Sequence, residues 1–77
     1  MATYGLRLIV EGPNVQETPM LHALYEGGCD DALVGSIDGA QYVDFDRIAP
    51  SIGSAIRSAI ADVESVDGIE VVGVDRD

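Results

Sequence analysis

The sequence has no lysine, a single cysteine and no apolar run long enough to span a membrane, and each lack removes a class of protein. Without lysine, four arginines face 14 acidic residues and the net charge is −10. Such a surface repels phosphate backbones, which argues against direct nucleic-acid binding by this domain alone. It repels anionic membranes as well. A basic protein partner, a cationic peptide or a metal ion is its natural counterpart, although acidity also serves solubility and tolerance of high salt. The lone Cys29 cannot form an intrachain disulfide, which points to a reducing, cytoplasmic setting. The start Met1-Ala2-Thr3-Tyr4 lacks the basic and apolar regions of a secretory signal. With 77 residues the chain is expected to be one domain, residues 1–77, with a small margin of stability.

What is present is clear periodicity. Tyr4, Leu6, Leu8 and Val10 alternate with Thr3, Gly5, Arg7 and Ile9, and period-two patterning predicts a strand from Tyr4 to Val10. Glu11-Gly12-Pro13-Asn14 breaks it. Thr18 as N-cap and Pro19 at the first helical position open a short helix that Gly27-Gly28 ends. Its expected apolar stripe is Leu21, Leu24 and Tyr25, with Met20 beside it. Ala32 to Ser36 reads as a strand, Asp38-Gly39 as a hairpin turn, and Ala40 to Asp46 as the return strand. On that strand Gln41, Val43 and Phe45 share one face, and Tyr42, Asp44 and Asp46 the other. After Pro50, Ser51 caps a second helix on which Ile52, Ala55, Ile56, Ala59, Ile60 and Val63 recur at helical spacing, with Arg57, Ser58, Asp62 and Glu64 outside. Asp67-Gly68 stops it. Ile69 to Val74 is a last strand, nearly all apolar, whose inward face the pattern leaves open.

The order β-α-β-β-α-β predicts an α+β, ferredoxin-like sandwich: two split β-α-β units, a four-stranded antiparallel sheet in the order 4-1-3-2, and both helices on one face. The expected core is Tyr4, Leu6, Leu8, Val10, Leu21, Leu24, Val43, Phe45, Ile52, Ile56, Ile60 and Val63. The other sheet face stays uncovered. It should carry Thr3, Gly5, Arg7, Ile9, Tyr42 and Asp44, with Arg7 pairing across strands to Asp44 or Asp46. Arg7, Ile9, Tyr42, Asp44 and Asp46 are therefore the candidate partner-binding residues.

No catalytic constellation can be assembled from these residues, so the chain is read as non-enzymatic and without a cofactor. His22 points away from the expected stripe, with no second ligand at metal spacing. Cys29 has no histidine near it in sequence and reads as a packed thiol. Copper-carrying domains of the same topology bear a C-x-x-C loop after the first strand, which is absent here. Asp44 with Asp46, and Asp30 with Asp31, are carboxylate pairs that can take a cation or a partner's arginines. Gly12-Pro13-Asn14 lies where ACT domains contact an amino acid, which makes it the place for a small ligand. The glycine-rich loop of acylphosphatases and the paired aromatics of RNA-recognition motifs are missing.

The run "EGGCDDALVGSIDGAQYVDFDRIAPSIGSAIRSAIADVES" resembles the N-terminal domain of a group of small bacterial proteins in which "GCDDA", "YVDFDR" followed by "AP", and "SAI-DVE" recur. A helix-turn-helix DNA-binding segment usually follows in those proteins, whereas this chain runs to Asp77. The resemblance implies a bacterial regulatory or antitoxin-like context and no enzyme. The expected function is a protein-interaction or homodimerisation module that works through the open sheet face. The alternatives are an acidic, antitoxin-like inhibitor of a basic protein site and an ACT-like sensor of a small ligand.

Overall fold

The computed structural model describes residues 1–29 and 32–76, Arg76 by its backbone alone, and in it the alternating stretches form strands. The elements are β1 (Ala2–Glu11), α1 (Thr18–Glu26), β2 (Ala32–Ile37), β3 (Ala40–Ala49), α2 (Ile52–Glu64) and β4 (Glu70–Arg76). The four strands make one antiparallel sheet in the order β2-β3-β1-β4, which counted from the β4 edge runs 4-1-3-2. β3 continues past Asp46 to Ala49 because β1 begins early enough to pair with it, Ala2 opposite Ala49. Pro50, with no N–H to donate, follows directly. The β2–β3 hairpin turns on Asp38 and Gly39, at φ 51° and 83°. Positive φ at both central residues is the tight turn that matches strand twist, and a glycine at the second position adopts it without strain.

The core lies on one face of the sheet. Leu6, Leu8 and Val10 of β1 and Val43 and Phe45 of β3 form a single buried cluster with Leu24 of α1 and Ala55, Ala59 and Val63 of α2. Both helices therefore cover the same face, and the opposite face has no helix over it. Burying a side chain such as Leu8, fully enclosed here, contributes about 1.5–3 kcal/mol.

Leu24 and Val63 are buried as expected, but the other innermost helix residues differ from the expected core. On α2 the innermost line is Ala55, Ala59 and Val63, all at zero exposure, while Ile56 and Ile60 flank it half-buried. Small residues on the contact line let the helix backbone approach the sheet, and the isoleucines then fill the space to either side. On α1 the expected stripe is rotated. Leu24 is buried and Met20 and Ala23 pack beside it, but Leu21 is 38% exposed and Tyr25 67%. In a nine-residue helix with apolar side chains around most of its girth, either stripe satisfies the spacing. Val15, fully buried just ahead of α1, anchors the helix start. Thr18 is not the cap: Glu17 holds that place with extended backbone and no side-chain cap bond. At α2 the expected cap forms, the Ser54 N–H donating to Ser51 Oγ at 3.1 Å.

β4 carries a bulge. Its register on β1 shifts between Ile9 and Val10, so that Gly73 faces Ile9 and Val71 faces Val10. Val72 is the extra residue. Val71 packs on the core, while Val72 and Val74 are 51% and 44% exposed.

If close approach by small residues fixes α2, enlarging one of them must push the helix away. Ala59→Leu is expected to destabilise the fold by about 1–3 kcal/mol through overpacking, read as a lower midpoint of urea unfolding. An unchanged midpoint would mean that the helix has slack against the sheet.

Candidate functional site: the uncovered sheet face

The β1–β3 register sets this face. Arg7 lies directly opposite Asp44 and Ile9 opposite Tyr42. On the far side of β3, Leu33 faces Asp44, Gly35 faces Tyr42 and Ile37 faces Ala40. Arg7 Nε donates to Asp44 Oδ1 at 2.6 Å and Arg7 Nη2 to Oδ2 at 2.9 Å. This two-point contact fixes the guanidinium plane as well as its position. The plane also lies over the Tyr42 ring, Cζ 4.0 Å from the centroid, an attraction between cation and ring quadrupole. The hydrogen bonds that Arg7 donates to Asp44 raise its pKa above the ordinary value, outweighing the loss of hydration, so the guanidinium keeps its charge.

Tyr42 in turn rests on Gly35. A Cβ at position 35 would meet the phenol oxygen and come within 2.6 Å of Tyr42 Cζ. Gly35 is buried although it lies on the uncovered face, because the ring covers it. Three strands thus contribute to one stacked layer: Gly35 of β2, Tyr42 and Asp44 of β3, Arg7 of β1. Around it stand apolar side chains with nothing over them, chiefly Leu33 at 76% exposure and Ile48 at 69%, with Ile37 at the hairpin end. At the other end Arg7, Leu33, Asp44, Asp46 and Asp75 line a shallow depression of about 310 Å³.

Of the residues expected here, Arg7, Ile9, Tyr42 and Asp44 come together. Arg7 takes Asp44 as its partner because the register puts the two face to face, whereas Asp46 stands opposite Gly5. Gly35, Leu33, Ile37 and Ile48 were not anticipated. Alternation along β2 would have placed the first three, had that strand been followed to Ile37.

The remaining candidates do not converge on chemistry. His22 is exposed on α1 and Cys29 is buried in the core. Among the described residues no group of three or more His, Cys, Asp or Glu side chains is set to hold a metal ion. Asp30 and Asp31 lie outside the described residues. The Gly12-Pro13-Asn14 loop is tied to Gln41, which accepts from Val15 N–H at 2.7 Å and donates to the carbonyls of Gly12 and Pro13 at 3.2 Å, while Asn14 Oδ1 accepts from Gln16 N–H at 3.0 Å. Arg47, unremarked in the sequence, is a structural tie on the covered face. It stacks on Phe45, donates to Asp62 at 2.8 Å and to Ser58 at 3.2 Å, and reaches the Gly28 carbonyl at 3.1 Å. It joins β3, α2 and the segment before β2, and it draws Asp62 in from the solvent-facing position expected of it.

Fold and site together define an α+β domain with one helix-covered sheet face and one uncovered, pre-ordered face. No family model, no curated protein and no solved structure matches the chain. Among the described residues no helix is long and apolar enough to cross a membrane.

The stack makes a coupled prediction. Gly35→Ala is expected to cost about 1–3 kcal/mol by driving Tyr42 off its seat, and most of that cost should vanish in a Tyr42→Ala background. Urea denaturation of the two single variants and the double variant measures the coupling. Additive costs would mean that ring and glycine do not share the space.

Proposed function

We propose that this chain is a ferredoxin-like, non-enzymatic interaction module of a bacterial regulatory protein, and that it docks a protein partner of positive charge through the uncovered sheet face. One observation carries the reading. That face bears exposed Leu33, Ile37 and Ile48 around an Arg7–Tyr42–Asp44 layer already fixed in place, so docking loses little side-chain freedom. The size is also suitable. The molecule extends 33 × 26 × 16 Å, and its broad face offers on the order of 800 Å², the usual share of one partner in a stable complex.

Charge speaks for a cationic partner over a second copy. A chain of net charge −10 repels itself and attracts basic surfaces. The small-ligand reading has less behind it, since the Gly12 and Pro13 carbonyls of that loop are already bonded to Gln41.

Site-specific photo-crosslinking tests the docking face. A photoreactive residue at position 48 or 33 is expected to capture a partner in the cell of origin, and one at position 57 or 61 on α2 is not. Adducts from the helix positions alone, or a crosslinked homodimer alone, would overturn the reading.

A second reading rests on Asp46 and Asp75 beside Asp44 at the depression: an acidic inhibitor seated in a basic protein site. Its affinity should fall roughly tenfold or more between low and physiological salt. Affinity flat with salt would exclude this reading and would also remove charge as the selector of the partner, leaving the apolar residues of the face to account for docking.

A further inference from the structure

The two edges of the sheet are unlike. β4 is blunted by a bulge, by Glu70 and by Asp75, the usual devices against strand-to-strand pairing. β2, Ala32-Leu33-Val34-Gly35-Ser36-Ile37, has no charge, no proline and no bulge. The hairpin fixes which of its backbone groups point outward. In a two-residue turn of this type the closing pair, Ile37 and Ala40, exchanges both hydrogen bonds, and bonded and non-bonded pairs then alternate. Leu33, Gly35 and Ile37 therefore bond to β3. The N–H and C=O of Val34 and Ser36 point away from the sheet. Ala32 N–H is already taken by the Cys29 carbonyl at 3.2 Å.

Beside this edge α1 leaves a groove of about 370 Å³, walled by Leu21, Tyr25 and Leu33 among others. Leu33 also lines the depression on the uncovered face, so this residue borders both depressions. A strand added at β2 would find apolar contacts above and below it in alternation. Acidic residues flank the edge in the sequence. Asp38 closes the hairpin, Glu26 ends α1, and Asp30 and Asp31 precede Ala32 in the sequence. A second copy, carrying the same net charge of −10, is repelled from this edge.

We infer that β2 is the docking edge for an extended segment of a basic partner protein, joined as a fifth strand, with apolar residues in alternation and arginine or lysine at both ends. This rests on the reading of the chain as a protein-docking module and names the element that docks.

The probe is a short synthetic peptide with paired arginines at each end and alternating valine and threonine between, and the readout is amide hydrogen exchange of the protein. The Val34 and Ser36 amides are expected to slow by about tenfold or more on saturation, and a peptide with glutamates replacing the arginines should have no effect. Ser36→Pro, which removes one outward N–H, should abolish the slowing. Ser36→Lys, which adds a charge and keeps the N–H, should weaken it while the amide spectrum shows an intact fold. No slowing, or slowing along β4, would overturn the inference. Slowing that grows with protein concentration in the absence of peptide would also overturn it and assign the edge to a second copy. Crosslinks from position 48 with an unprotected β2 would sink the edge proposal and leave the docking reading standing.

Discussion

The register between β1 and β3 governs both faces of this domain. Leu6 opposite Phe45 and Leu8 opposite Val43 put four apolar side chains of the central strands into the core. The same pairing sets Arg7 opposite Asp44 and Ile9 opposite Tyr42 on the other side. A slip of β1 by one residue would turn Arg7 under the helices and lift Leu8 into water. Since the two buried pairs weigh far more than an ion pair that is one-third exposed, the core chooses the register and the surface layer follows from it. The stacked layer therefore comes at almost no cost in folding specificity.

Much of this was legible in the chain. Alternation at Tyr4–Val10 and Ala40–Asp46 located the central strands and their faces, and Asp38-Gly39 located the turn. Ser51 marked a cap because an oxygen at that place meets an otherwise orphaned N–H. The failures share a cause: they concern residues whose role depends on what lies across from them. Ala55 and Ala59 outrank the isoleucines because the helix touches the sheet there, which no helical wheel records. Val15 is a single apolar residue in a polar loop. It is buried because Gln41, far along the chain, grips its N–H. Gly35 reads as a weakness in a strand until Tyr42 lies on it. The orientation of α1 was underdetermined, and the rotation that exposes Leu21 and Tyr25 is also what opens the groove beside β2.

Acid placement follows from the size of the chain. No charged or polar side chain is buried among the described residues, as expected of a domain with little stability to spare for desolvating charge. The arginines seen in ion pairs act at joints: Arg7 spans the two central strands and Arg47 holds β3, α2 and the approach to β2. The acids, in large excess, are left as a surface field. That field does not specify an interface by itself, but it biases which protein can approach one.

An unprotected edge strand is ordinarily an aggregation hazard, and natural sheets shield it with local charge or proline. Here β2 has neither, yet the chain carries a long-range substitute. A net charge of −10 on 77 residues holds identical copies apart before their edges meet, an effect that weakens as salt shortens the screening length. The same repulsion becomes attraction for a basic strand. One global property thus does two jobs at one local feature: it suppresses self-pairing and selects a cationic partner. A protective lysine or proline within β2 would have achieved the first and abolished the second, which gives a physical reason for the protection to reside in the whole surface and not in the strand.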